Sequence, residues 1–230
     1  MSEQRTAPPL DVMRARTVTD QIFDLLYERV VNLTLAPGAK LSEIEVAQQM
    51  GVSRQPVRDA FYRLSQLGFI QIRPQRATTV TPISEDAVLQ AYFIRSALEE
   101  ACMRTAAQVL TEKQLDALDT LVQRQAAAVE AGERSRFHAL DDQFHHDICN
   151  YAGLEFVWAL IKENKGHMDR ARYLSLSYGA DVALQEHRQI LTALRDRDGQ
   201  AAAGAVKQHL SRIETIIARL HIDRPDVFDG

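Results

Sequence analysis

Apolar residues recur at helical spacing from Thr17 onward, where Ile22, Leu25, Leu26, Val30 and Val31 mark one face of a helix running to about Leu33. Ala36-Pro37-Gly38-Ala39 breaks it. Ser42-Glu43-Ile44-Glu45 then has the form of a capping box, in which the Ser42 hydroxyl accepts an amide and Glu45 reaches back. The helix it starts ends near Met50, and Gly51 supplies the backbone freedom for a tight turn. Ser53 is placed to cap the next helix, with Pro56 in its first turn, where a missing N–H costs little. Val57, Ala60, Phe61 and Leu64 form the buried stripe of that helix, while Arg54 and Arg58, four residues apart beside Gln55, share another face. Gly68–Ile72 and Thr78–Val80 predict two short strands, joined by the basic turn Arg73-Pro74-Gln75-Arg76-Ala77.

Helix, glycine turn, capped helix and a two-stranded basic hairpin together describe a winged helix-turn-helix, which presents its second helix to a DNA major groove. After Ser84, itself a predicted cap with Glu85 and Asp86 behind it, every segment reads as helical. VLQAYFIRSALEEACMRTAAQVL, KQLDALDTLVQRQAAAVEAG, RFHALDDQFHHDICNYAG, LEFVWALIKENKGHMDRARYLSL, ALQEHRQILTALRDRDG and AAAGAVKQHLSRIETIIARL repeat apolar positions at three and four. Gly132, Gly153, Gly179 and Gly199 punctuate them. The expected protein is mainly α, with a winged helix-turn-helix (α with a small β wing) followed by an all-α bundle of six or seven helices. Its expected divisions are a tail at 1–16, the DNA-binding domain at 17–80, a linker at 81–84, the helical domain at 85–220 and a C-terminal tail at 221–230.

Composition changes this picture little. At 230 residues, 46% hydrophobic and 25% charged, the chain has room for one large or two ordinary domains and can bury a real core. No apolar run approaches the ~18 residues of a membrane span, and the polar start MSEQRTAPPL does not read as a signal peptide. Two cysteines, Cys102 and Cys149, do not suggest a disulfide framework, so a cytoplasmic setting is expected. Charge is uneven: through Val80 there are 10 Lys and Arg against 8 Asp and Glu, whereas the remainder has 17 against 23. A slightly basic head on an acidic body suits a protein that offers one end to DNA.

The helical region also carries candidate metal chemistry. Asp141 and His145 project from one helix face a turn apart, while His187 and His209 sit at the edges of apolar stripes on two later helices. One carboxylate and three imidazoles on three helices suit Zn, Ni, Fe or Mn, with positions left for water or substrate oxygens. Each histidine can equally be a hydrogen-bonded core residue. His138 shares the Asp141/His145 face and is a rival ligand, His146 points elsewhere, and His167 could line the same cavity or lie on the surface.

PGAKLSEIEVAQQMGVSRQPVRDAFYRLSQLGFI is similar to the DNA-binding domain of the GntR family of bacterial transcription regulators. IRSALE, DDQFHHDI, EHRQILTALRDRD and KQHL, in that order, resemble the ligand-sensing FCD domain of its FadR subfamily, so the likeness spans roughly residues 17–220. The resemblance implies a metal held by Asp141, His145, His187 and His209, with a small carboxylate effector bound through it. Arg95 in IRSALE occupies the place of an effector-binding arginine, against an alternative ion pair with Glu99 or Glu100; Arg172 and Arg170 are looser candidates. Operator contacts carry over to Ser53, Arg54, Gln55 and Arg58, and to Gln75 and Arg76 in the wing. The chain departs from the family pattern at Ile44, where relatives often carry Arg, at Ala77, where the wing usually has Gly, and at Leu154, where Asn is common. The implied protein is a homodimeric repressor on a pseudo-palindromic operator of double-stranded DNA, released by its effector, and not an enzyme. The alternatives are the same regulator with a structural or absent metal and, more remotely, a metal-dependent hydrolase.

Overall fold

The computed structural model describes residues 16–73, 76–175 and 179–228, and in it the starts at Ser42, Ser84, Thr111 and Asp198 carry side-chain caps. The chain separates into two compact units, one made of residues up to Val30 and Gly38–Thr81, the other of Val31–Pro37 and the residues from Pro82 onward.

In the first unit, α1 spans Val18–Val31, α2 Glu43–Met50 and α3 Arg54–Gln66. The Ser42 hydroxyl accepts the Glu45 amide at 3.3 Å, but the return bond expected of a capping box is not made. Gly51 adopts φ 65° and its N–H reaches the Ala47 and Gln48 carbonyls, closing α2 in a left-handed turn that other residues enter only with strain. Ser53 occupies the N-cap position of α3, yet its side chain makes no capping bond, contrary to expectation. Val57, Ala60, Phe61 and Leu64 are buried as predicted.

The wing contains one strand more than the sequence suggested. Besides β2 (Ile70–Gln71) and β3 (Thr78–Val80), Lys40–Leu41 forms β1, in the antiparallel order β1-β3-β2. Two residues carry no periodicity to read; β1 exists because Gly38 turns the chain so that paired bonds form between Gly38–Ala39 and Val80, each 2.9 Å.

The second unit holds seven α-helices among the described residues: α4 Glu85–Val109, α5 Glu112–Glu130, α6 Arg134–Tyr151, α7 Glu155–Asn164, α8 Gly166–Ser175, α9 Ala180–Arg195 and α10 Gly199–Asp223. Ser84 caps α4 as expected, accepting from Ala87 at 3.2 Å, and Thr111 with Gln114 forms a complete capping box on α5. Gly132 and Gly153 end helices at positive φ, whereas Gly179 and Gly199 begin them. At Gly199 a Cβ would meet the backbone of Arg104 at 3.1–3.2 Å, so the absent side chain lets α10 start close against α4. None of the helices is long and apolar enough to cross a membrane.

The residues after α10 depart from the expected tail. Pro225–Val227 form a 3-10 turn, Val227 and Phe228 are buried, and the Val227 carbonyl accepts from Ile83 at 2.7 Å. Arg170, fully buried in α8, donates to the Pro82 carbonyl at 3.2 Å. The stretch that leads into α4 is thus held from two sides.

Candidate functional site

Three helices bring four groups to one point. Asp141 and His145 come from α6, His187 from α9 and His209 from α10. One ligand-capable atom from each lies within 4.8 Å of the others, and all four residues are buried. His145 Nε2 and His209 Nε2 are 3.3 Å apart, and His187 Nε2 is 3.5 Å from Asp141 Oδ1.

The outer nitrogens explain why the inner ones converge. His145 Nδ1 lies 2.5 Å from Glu99 Oε2, His187 Nδ1 2.8 Å from Gln125 Oε1, and His209 Nδ1 3.0 Å from Glu186 Oε2. Gln125 donates its amide N–H to the Leu140 carbonyl at 2.9 Å, which turns its oxygen toward His187. An acceptor beside each Nδ1 suits the tautomer protonated there, which would turn each Nε2 lone pair toward the cluster. The three Nε2 atoms and a carboxylate oxygen of Asp141 face one another, and among the described residues His187 Nε2 and Asp141 Oδ1 have no hydrogen-bond partner. In that tautomer the facing lone pairs and the carboxylate would welcome a cation among them. This donor set is compatible with a metal site.

Electrostatics favour an ionised Asp141 and neutral His187 and His209. Burial alone would raise Asp141, but Arg172, followed by His187, His145 and His209, holds it well below the usual carboxylate range. Burial pushes His187 well below the ordinary imidazole value, and the neighbouring His209 adds to this. His209 is lowered by burial against the opposing bond to Glu186. Burial of Glu99 is more than offset by Arg95 and His145, which keep it ionised.

Arg172 donates to Asp141 Oδ2 and reaches Asp169 at 3.3 Å. It also lines a cavity of about 190 Å³ that touches Asp141 and His209. Arg95 does not line that cavity. It is 1% exposed, with Nε on Glu99 Oε1 at 2.5 Å, while the other oxygen of Glu99 faces His145. Arg95 thus makes the ion pair weighed against an effector contact, with Glu99 one turn away compensating its buried charge. Its Nη1 and Nη2 make no hydrogen bond. His138 is buried but outside the cluster, 3.9 Å from Asp169 and stacked near Tyr173. His146 bonds to Asp147, and Lys165 bridges Asp142 and Asp169.

Sequence reading missed Gln125 and Glu186, and named Glu99 only as a partner for Arg95, not for His145. A carboxylate one turn after a buried arginine was the only available hint, and nothing local marks Gln125.

On α3, Arg54, Gln55 and Arg58 lie on an exposed face. Both arginines reach Glu43 Oε2, at 3.3 and 3.4 Å, and Gln55 donates to Asp59 at 2.8 Å. Glu43 therefore gathers the two guanidiniums beside the first turn of α3. Arg63 serves packing instead: it pairs with Asp20 at 2.8 Å and lies 4.0 Å over the Phe23 ring. Arg76 is exposed, and Gln75 lies outside the described residues. Ile44 is half exposed on α2, and Leu154 sits at the start of α7 without a capping bond, packed on the small Cys102/Cys149/Trp158 core.

Comparison with known proteins matches residues 18–80 to the bacterial regulatory proteins of the gntR family and residues 90–212 to the FCD domain. The HTH-type transcriptional repressor RspR of Escherichia coli is 38% identical over 213 residues, covering 92% of this chain and 93% of that protein. A "Probable D-xylose utilization operon transcriptional repressor" of Paenarthrobacter nicotinovorans is 30% identical over 198 residues, 85% of this chain and 86% of that one. Among solved structures, E. coli McbR/YncC has a TM-score of 0.76 at 21% identity, covering 89% of this chain and 99% of its own. A GntR transcriptional regulator from Rhodococcus sp. RHA1 has a TM-score of 0.71 at 18% identity, covering 87% and 97%. At such identities the two structures speak to the fold.

Proposed function

Because the chain belongs to the GntR family of bacterial transcription regulators, with the FCD domain of its FadR subfamily, we propose that it is a cytoplasmic, homodimeric repressor controlled by a small carboxylate at a metal. It is a regulator and not an enzyme, as the sequence reading expected.

The observation that carries the effector reading is the set of three Nε2 lone pairs and Asp141 Oδ1 directed at one point, each imidazole held from behind by Glu99, Gln125 or Glu186. Asp141, His145, His187 and His209 would hold a divalent Zn, Ni, Fe or Mn ion. When bound, the ion supplies positive charge and open positions for a carboxylate. Arg172, which lines the adjoining cavity and donates to Asp141, is placed to position the effector.

In the DNA head, Arg54 and Arg58 present guanidinium forks to guanine edges or phosphates, and Gln55 is suited to adenine. The Ser53 hydroxyl, not spent on capping, suits a phosphate, as does Arg76 in the wing. Engagement by DNA replaces the shared Glu43 partner with stronger acceptors. A two-fold dimer would read a pseudo-palindromic operator. Dimerisation is supported by large apolar side chains exposed on the packed pair α4 and α7: Phe93 at 73%, Phe156 at 66% and Leu160 at 46%. Effector binding that favours one relative arrangement of the heads by about 1–3 kcal/mol changes operator affinity roughly 5–150-fold.

Elemental analysis of gently purified protein, followed by gel-shift titration, tests this reading. One divalent metal per chain is expected. His187→Ala should lose the metal and the effector response together, and Arg58→Ala should abolish specific operator binding while the dimer persists. Wild-type metal content in His187→Ala overturns the metal assignment. Unchanged operator binding in Arg58→Ala overturns the recognition-helix assignment.

A further inference from the structure

We infer that Tyr62 is a further DNA-contacting residue, whose hydroxyl donates to a phosphate on the wall of the groove that α3 enters. This rests on the preceding reading of Arg54, Gln55 and Arg58 as operator contacts. Tyr62 follows Arg58 by four residues and Gln55 by seven, so the three side chains lie along one face of α3. Val57, Ala60, Phe61 and Leu64 bury the opposite face. Arg63, the next residue, turns aside to Asp20 and the Phe23 ring. Tyr62 keeps to the outward face: at 61% it is the most exposed large hydrophobic side chain of the first unit among the described residues. Its hydroxyl has no hydrogen-bond partner among those residues.

A ring so exposed adds little to the core of the unit, but its place along the helix suits DNA. At a rise of about 1.5 Å per residue, Tyr62 stands about 12 Å beyond Arg54 along the axis and about 6 Å beyond Arg58. A recognition helix sets its first residues against base edges, in a major groove about 12 Å wide. A side chain two turns further on therefore meets sugar and phosphate. The phenol O–H is a donor suited to a charged phosphate oxygen, and the ring has only two torsions to fix. Unlike the arginines, Tyr62 brings no charge, so its bond adds affinity without displacing a counterion.

Tyr62→Phe removes one exposed oxygen and leaves the ring and the helix in place. A duplex selected from a random pool by the full-length wild-type protein supplies the operator, and fluorescence anisotropy gives affinities over a range of salt. Tyr62→Phe should bind that duplex about tenfold more weakly, the worth of a hydrogen bond to a charged acceptor. The slope of log affinity against log salt should stay that of the wild type, because no charge has been removed. Methylphosphonates placed one phosphate at a time should then mark a position in each half-site that weakens the wild type and leaves Tyr62→Phe unchanged. Equal binding of the selected duplex by the two proteins overturns the inference and leaves the recognition helix standing, as does a loss that no single phosphate accounts for. Failure of the wild type to select any duplex removes the reading of α3 itself, and this inference with it.

Discussion

An imidazole offers a metal one nitrogen, so the group that holds the other nitrogen governs its quality as a ligand. Gln125 is the cleanest place to measure that effect here. It is uncharged and fully buried, with its oxygen 2.8 Å from His187 Nδ1. Gln125→Leu keeps the volume and removes the acceptor, so metal affinity should fall about 10–100-fold while the fold persists. Competition with a chelator reads the first, circular dichroism the second; unchanged affinity would mean that His187 is oriented by packing alone. His138 supplies a pH test outside the ligand set. Burial lowers its pKa, Arg172 adds to this, and Asp169, Asp142 and Asp141 oppose it. Its folded pKa lies below the unfolded value of about 6.5, so below that pH the unfolded chain takes up the proton first. Stability from this residue is complete above pH ~6.5 and is lost as pH falls toward the folded value. Denaturant titrations of metal-free protein should therefore show a fall in stability below pH ~6.5 that is weaker in His138→Gln. An equal fall in both proteins would assign the effect elsewhere.

At the scale of elements, the helix-turn-helix depends on one backbone angle. Gly51 holds φ 65° with open space around its α-carbon, so Gly51→Ala meets no clash and costs only the left-handed conformation. Equilibrium unfolding should register a loss of about 1 kcal/mol. No loss would mean that the turn relaxes to another geometry. Gly199 is constrained differently, by the Arg104 backbone at 3.1 Å from a notional Cβ. The sequence marks both residues as punctuation in the same way, yet at Gly51 the reason is torsional and at Gly199 it is a neighbouring helix. Capping shows the same division. Ser84 and Thr111 bond as their local sequences require, while Ser53 holds the cap position without the bond.

For the whole molecule, α4 and α7 leave Phe93, Phe156 and Leu160 in water, an exposure that a second copy of the chain would remove. The double variant Phe156→Glu with Leu160→Glu should be monomeric by light scattering and bind operator more weakly, since the two half-sites lose their linkage. A dimer that survives both substitutions would place the interface on another face. The sequence by itself determined the elements: capping hydroxyls, glycine turns and three-and-four periodicity act over a few residues, so the winged head and the helical body were legible from local chemistry. The four members of the Asp141–His145–His187–His209 cluster were legible too, though only as spaced residues among rivals such as His138. The tertiary structure alone decided which of them meet, because convergence depends on how α6, α9 and α10 pack. It also decided what stands behind them: Gln125 lies 62 residues from the histidine it serves, a distance over which periodicity carries no information. It paired Arg95 with Glu99, and added β1, because a buried charge and an edge strand each answer to a partner supplied by the fold.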